Sequence, residues 1–594
     1  MSDTAAAPQA AGDVPYKDTR PQWFGHPAQL ARLFTTEMWE RFGFYGMRAL
    51  LVLYLTQHFI FSDRVSSGMY GAYMSLVYLT PFIGGLLADR YLGSKRAVKF
   101  GALVMAAGYL GLCFGGPDAT PYFETGGQRY EVQVVPDEGR NRQFVVSGDQ
   151  RFELKGQDDG SIRLLGSNGS VLPASIPKGQ FSSGGERSPF YIALLLASLS
   201  LIVIGNGFFK PNISTMVGSL YDKTDRRRDA GFTIFYMGIN LGSLGSQILC
   251  PFLAVTFGWW AGFGLAAAGM LVAWTLIQFD GGRLDGYGEV PPQTKDRSRI
   301  IYLLSIGAVL VPYLLFSNTL AATAPPEGQG IMGYLASLPV LGKALFATFI
   351  IGVPAILVWS WRVGTKVEFQ MMLAAMVLIV FNVTFWTLFE QAGSSLTLFA
   401  DRNTNLSVFG LFNISAGQTQ FFNALFIVAL APVFSAMWIA LAKRGLEPGI
   451  PVKFGIALVG VGAGFLFLVW GTSFAGPDYK VGLWWLAGLY LIHSMAELCI
   501  SPVGLSMITK LSIVRIVGMM MGVWFLSISV AQYVGGIVAQ LASVETVGGE
   551  VTNLSVSLAT YAGVFQTIGT ASAVIGVVLL GLAPLLKRWM HGVN

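Results

Sequence analysis

Long apolar runs separated by short polar segments set the pattern of this chain. A helix that crosses a bilayer needs about 20 mostly apolar residues. Fourteen segments meet that measure: 30–58, 66–88, 96–115, 190–220, 230–255, 260–279, 299–319, 339–361, 367–392, 418–442, 453–472, 482–509, 514–541 and 558–586. An all-α polytopic membrane protein follows, and the even number of spans puts both chain ends on one side. A period of two enters in the long polar gap 116–189, at Arg129–Val135, Gln143–Ser147, Arg151–Lys155 and Ser161–Leu165. Turn signals at Gly139-Arg140-Asn141, Asp158-Asp159-Gly160 and Asn168-Gly169 separate these runs. The pattern predicts a small antiparallel β insert, too long to be a simple connection. Ligand capture, partner binding and a purely solvated role stay open for it.

The chain divides accordingly. Residues 1–29 form a polar tail without the apolar core of a cleavable signal peptide. Residues 30–279 make a first group of six helices that contains the insert. Residues 280–366 are a linker and a very apolar two-helix hairpin with no embedded acid, and 367–594 make a second group of six.

Composition agrees with a membrane location. Only 12% of the 594 residues are charged, about half the share of a soluble domain. The net charge of +6 would suggest nucleic acid in a soluble protein. Here the bases lie between apolar runs, where they orient helices instead. Arg90, Lys95, Arg96 and Lys99 follow the second run; Lys223, Arg226, Arg227 and Arg228 the fourth; Arg283, Lys295, Arg297 and Arg299 the sixth. Lys443 and Arg444 follow the tenth, and Lys587 and Arg588 the last. Alternate loops hold few bases: Arg64 beside Asp63, Arg402 beside Asp401, and none in 542–557. Positive charge retained inside predicts cytoplasmic termini.

Ionisable groups at membrane depth are costly and read as functional. Glu37, Glu40 and Arg41 share one face of the first helix by their i, i+3, i+4 spacing. Arg48 returns to that face about three turns later. A purely structural ion-pair network would also account for Glu40 and Arg41. Lys210 precedes Pro211, which should kink the fourth helix, and Glu390 and Glu497 lie in the second half. Most embedded bases are therefore in the first half and two acids in the second. A cavity between the halves would be bipolar and suited to a zwitterion.

Other features read as packing. Cys113, Cys250 and Cys499 lack metal or redox spacing. His58 and His493 lack ligand spacing, and Gly460-Val-Gly462-Ala-Gly464 lies in an apolar span, unlike a dinucleotide loop. Most aromatic residues belong to interfacial belts. Asp89 and Arg90 read as a conformational latch. No nucleophile–base pair, metal cluster or nucleotide loop is visible, so a non-enzymatic protein without cofactor, driven by the proton gradient, is expected.

The segment Glu37-Met-Trp-Glu40-Arg41-Phe42-Gly43-Phe44-Tyr45-Gly46 resembles the E-x-x-E-R-F-x-Y-Y-G motif of the proton-dependent oligopeptide transporters, a branch of the major facilitator superfamily. Gly84 to Gly93, Gly207-Phe-Phe-Lys210-Pro211-Asn212, Phe235 to Ser243, and Glu497 to Ser506 are similar to further motifs of that family, in the same order. The likeness spans nearly the whole chain except the β insert, and the hairpin is similar to one in bacterial members. It implies a major facilitator fold of two six-helix bundles plus the hairpin, and symport of protons with di- and tripeptides by alternating access.

Roles follow from the resemblance. Glu37, Glu40 and Arg41 would couple protons, and Arg41 and Lys210 would hold the peptide carboxylate. Glu497, Asn240 and Asn423 would receive the amino group. Arg48 and Glu390 would gate, with Lys210 and Glu497 contributing. Tyr45, Tyr78, Trp386 and Trp524 would line side-chain pockets. Implied partners are peptides, protons and the lipid bilayer, with no nucleic acid and a monomer as the working unit in a bacterial inner membrane. Two departures stand out. Phe44 replaces the first Tyr of the usual pair, and Tyr70-Gly71-Ala72-Tyr73 stands where animal members carry a His. Proton coupling would then rest on carboxylates. Competing expectations are transport of a small anion such as nitrate, and a non-transporting peptide sensor.

Overall fold

In lipid a backbone can satisfy its polar groups only internally, and each apolar run is helical in the computed structural model, which describes residues 21–137, 140–167, 169, 172–222, 225, 227–290, 296–322, 330–501 and 503–593. Residues 1–20 of the tail, the turn residues Gly139 and Asn168, the bases Lys223, Arg226 and Lys295, residues 323–329 of the hairpin loop, and Pro502 lie outside the described residues.

The helices are α1 (Gln29–Leu53), α2 (Asp63–Leu92), α3 (Ser94–Leu112), α4 (Pro189–Ser219), α5 (Arg228–Phe257), α6 (Trp259–Gln278) and α7 (Ser298–Leu320). They continue as α8 (Val340–Val363), α9 (Lys366–Asn403), α10 (Ala416–Lys443), α11 (Ile450–Thr472), α12 (Leu483–Ile500), α13 (Val514–Leu541) and α14 (Leu554–Trp589). Twelve of these are long and apolar enough to cross a membrane. The other two are α1, which carries five charged residues, and α3, which carries three. They pack among the rest, α1 against α5 and α6, and α3 against α4 and α6.

Three boundaries differ from the sequence expectation. A short 3-10 turn at Glu390–Gly393 bends α9 without ending it, so the helix reaches Asn403 rather than 392. Glu390 is thus interior, and Asp401 and Arg402 are helical rather than loop residues. Helix α12 stops at Ile500, and a separate short helix covers Gly504–Leu511. Between them the sequence places Pro502, which disfavours helix in the residue before it. Helix α2 starts at Asp63, with the Ser62 side chain capping the Val65 N–H.

The two bundles meet along α2 and α13 and along α5 and α10. Glycines let α2 and α13 touch backbone to backbone: a Cβ on Gly71 would lie 2.7 Å from the Gly536 Cα. Ser75 and Ser529 hydrogen-bond across the same seam at 2.9 Å. The glycines of 460–464 are packing positions too. A Cβ on Gly462 would meet the Gly569 carbonyl oxygen of α14 at 2.5 Å, and one on Gly464 would meet the His493 ring. The hairpin lies at the periphery, α7 against α2 and α4 and α8 against α9 and α13, with Leu303, Leu304, Ile351 and Trp361 exposed.

The insert is a seven-stranded antiparallel sheet: β1 (Thr120–Thr125), β2 (Gln128–Asp137), β3 (Arg140–Ser147), β4 (Gln150–Gly156), β5 (Ile162–Leu165), β6 (Ser175–Ile176) and β7 (Phe181–Glu186). Strands β1 to β6 form a meander, and β7 returns beside β1. Its core gathers Phe123, Val132, Val145, Phe152 and Leu154. Strands β1, β6 and β7 escape the sequence reading because they carry little alternation. The stretch Phe-Ser-Ser-Gly-Gly-Glu becomes a strand by pairing with β1 along its full length.

Candidate functional site

The costly charges of α1 collect in the middle of the first bundle. Glu37, Glu40 and Arg41 are all at most 3% exposed. Arg41 Nε lies 3.0 Å from Glu37 Oε1, to which it donates, and 2.6 Å from Glu40 Oε2. The Glu40 contact is an ion pair without hydrogen-bond geometry. Both Glu40 oxygens, Glu37 Oε2 and Arg41 Nη2 have no hydrogen-bond partner among the described residues. Buried polar atoms are nearly always paired, so this group has room for another ligand.

Lys210 of α4 stands beside the group, within electrostatic range of Arg41, Glu40, Glu37 and Glu390. It makes no ion pair among the described residues, and its Nζ sits 4.0 Å above the Tyr78 ring. Tyr45 lies in the field of Arg41, Arg48, Glu390 and Glu497 together, which makes it the side chain between the two halves. Arg41 also faces the Phe44 ring at 5.4 Å.

The second bundle supplies the acid side. Asn423 Nδ2 of α10 donates to Glu497 Oε2 of α12 at 3.3 Å and to Ser494 Oγ at 3.0 Å. Trp386 Nε1 donates to Asn382 Oδ1 at 3.1 Å. Trp524 is nearly buried over Gly504. Asn240 Nδ2 donates to the Tyr236 carbonyl one turn back on α5 at 3.2 Å. Lys210 and Glu497 are not paired with each other.

One expected gate pair is formed. Arg48 Nη2 donates to Glu390 Oε2 between the bundles, and Arg48 Nε donates to Tyr70 Oη at 2.8 Å. Tyr70 was noted in the sequence only as the absence of a His. A Cβ on Gly393 would fall 1.7 Å from Tyr70 Oη, so the bend in α9 is what lets the three side chains converge.

A second inter-bundle pair has no sequence signal. Arg402 near the end of α9 grips Asp63 at the start of α2 through both terminal nitrogens and donates to Tyr561 Oη at 3.1 Å. The partners are 339 residues apart, and each sits beside an opposite charge that disguises it as loop polarity. Both pairs lie between Tyr45 and the end of the molecule that carries the insert.

Asp89 and Arg90 are exposed and form no ion pair among the described residues. The nearby Lys95 pairs with Asp280 and Asp285 at 3.0 Å each, and Arg96 with Asp296 at 3.2 Å. His493 is a packing residue whose Nε2 donates to the Val461 carbonyl oxygen at 3.1 Å. No metal-holding group occurs among the described residues.

Two helical bundles around a seam of embedded charge define a multi-pass membrane transporter of the major facilitator type, not an enzyme. The POT family model (PTR2) matches residues 162–554, and the chain belongs to that family. It is 30% identical over 580 residues to the uncharacterized transporter YclF of Bacillus subtilis (strain 168), with 96% of each chain covered. It is also 30% identical over 575 residues to dipeptide and tripeptide permease A of Edwardsiella piscicida, again with 96% of each covered. A solved structure of the peptide transporter POT in complex with sulfate superposes with a TM-score of 0.70 at 30% identity, over 96% of this chain and 98% of that one.

Proposed function

We propose that the protein is a proton-coupled symporter that imports di- and tripeptides across a bacterial inner membrane by alternating access, working as a monomer with both termini cytoplasmic. The observation that carries this is the buried Glu37–Glu40–Arg41 group, with open hydrogen-bonding atoms beside a Lys210 that has no ion pair among the described residues, and Tyr45 in the field of both Arg41 and Glu497. The names of the permease and POT relatives support the same substrate class.

The charges define a mechanism. Arg41 and Lys210 offer two cations to a peptide carboxylate, and charge-assisted hydrogen bonds of this kind are the strong ones. Glu497, oriented by Asn423, accepts the amino group, which favours a peptide over a simple anion. Seven ionisable groups line the seam: the acids Glu37, Glu40, Glu390 and Glu497 against the bases Arg41, Arg48 and Lys210. Four acids and three bases sum to −1, and a zwitterionic peptide leaves that sum unchanged. One proton brings the loaded site to neutrality, the state a low-dielectric interior favours. When the peptide carboxylate draws Arg41 away, Glu37 and Glu40 both lose their cation, and Glu40, neither of whose oxygens has a hydrogen-bond partner among the described residues, takes up the proton. Release of that proton on the cytoplasmic side restores the Arg41 pair and helps expel the peptide.

Uptake of labelled dialanine into proteoliposomes holding one copy each is expected to rise under an inward proton gradient. Uptake equal to that of empty vesicles would sink the proposal. Glu40→Gln is expected to abolish gradient-driven uptake and keep counterflow exchange; driven uptake at the parental rate would remove Glu40 from the coupling role.

A further inference from the structure

The β insert belongs to the first bundle by its connections and touches the second by its fold. Its base is fixed to the α1–α2 loop. Arg187 donates to the carbonyls of Phe59 and Ile60, its guanidinium lies 4.1 Å from the Phe61 ring centre, and the Ala119 N–H donates to the His58 carbonyl at 2.9 Å.

Its far side holds a hairpin of the other bundle. Between α13 and α14, Thr546–Val547 pairs with Glu550–Val551 around the turn Gly548-Gly549, both at positive φ. Such a two-residue glycine turn makes a tight, rigid tip. That tip enters the insert. Val547 is fully buried and is a member of the insert's own core with Phe123 and Val132. A Cβ on Gly548 would lie 2.8 Å from Val134 of β2, and one on Gly549 would lie 3.2 Å from the Thr56 carbonyl oxygen beyond α1.

Polar contacts fix the register. The buried Gln143 amide of β3 donates to the carbonyls of Val547 at 2.9 Å and Glu550 at 2.7 Å. Ser183 Oγ donates to the Thr546 carbonyl at 2.7 Å. Asn141 bonds Glu550 at 2.6 Å, and the Gly156 N–H donates to the Thr552 carbonyl at 3.1 Å. Just below, the Val544 N–H donates to Asp63 at 3.1 Å, in the second inter-bundle ion pair.

We infer that the insert and the Thr546–Val551 hairpin form a clasp between the two bundles, which holds the insert end shut and parts whenever that end opens. A strand-like docking with a buried apolar tip gains its free energy only while the two surfaces are joined. It therefore weights the population toward the state closed at this end, as any interaction specific to one state does. The clasp rests on alternating access, and its test reads distance rather than transport.

Cys113, Cys250 and Cys499 are replaced by alanine, and distances are read by energy transfer between dyes joined through an introduced ketone side chain at Phe257 of the first bundle and Leu411 of the second, both exposed at the insert end, a linkage that thiol reagents and reductant leave intact. The parent protein's own long-distance component reports whether this end opens at all; its response to variants reports the clasp. Gln143→Ala with Val547→Ser is expected to raise the long component at least about threefold. In a second arm, Asn141→Cys and Glu550→Cys are bridged by a short reducible thiol cross-linker. The bridge is expected to abolish the long component, and reductant to restore it. A distance distribution unchanged by either arm overturns the clasp.

Discussion

At the scale of single residues, the two inter-bundle ion pairs differ in what surrounds them. Arg48 and Glu390 sit beside the seam with Tyr70 as an added acceptor. Asp63 accepts both terminal nitrogens of Arg402 and the Val544 N–H, so its carboxylate is closely satisfied. Breaking a buried pair by removing one charge costs about 3–5 kcal/mol, because the other charge is left unpaired. Asp63→Asn is therefore expected to weaken the state closed at the insert end and to lower thermal stability by about that amount. Tyr70→Phe removes one hydrogen bond to a charged group, worth about 1.5–3 kcal/mol, and leaves the Arg48–Glu390 pair standing. Thermal unfolding in detergent or nanodiscs checks both. Equal and negligible shifts would show that neither group depends on its buried partners. The embedded residues Glu37, Glu40, Arg41, Lys210 and Glu497 were legible in the sequence because hydropathy makes any charge within an apolar run conspicuous. Asp63 and Arg402 were not, since a charge at a helix end looks the same whether it meets water or a partner.

Among elements, the peripheral hairpin is the one most separable from the seam. Helices α7 and α8 each rest on a different bundle and present exposed apolar side chains outward. None of the site residues lies on them. Replacing 298–363 by a flexible linker is expected to retain gradient-driven dialanine uptake at more than about half the parental rate. Complete loss in a protein that still folds would give the hairpin a direct part in transport. The helices themselves were readable to within a few residues, because a bilayer forces apolar runs into helix. The exceptions have local causes. Helix α9 continues through a 3-10 turn that bends it without ending it, and α12 ends before a proline. The insert was readable as β structure where side chains alternate, but β1 and β7 are defined by pairing partners some 60 residues apart. Its docking on the α13–α14 hairpin joins residues about 400 positions apart, beyond any periodicity.

For the whole molecule, the contact between Gly71 and Gly536 has a mechanical consequence. There α2 and α13 touch backbone to backbone, with no side chain interposed. Gly71 stands 8 residues from the start of α2 at Asp63 and 21 from its other end at Leu92. At 1.5 Å per residue those arms are about 12 and 32 Å long. If the bundles rock about this contact as a fulcrum, leverage is unequal. The same angle that parts the insert end by a given distance parts the opposite end by about two and a half times as much. A peptide would then meet a narrow, clasped entrance on one side and a wide exit on the other, a geometry that sorts cargo by size on entry and sheds it readily afterwards.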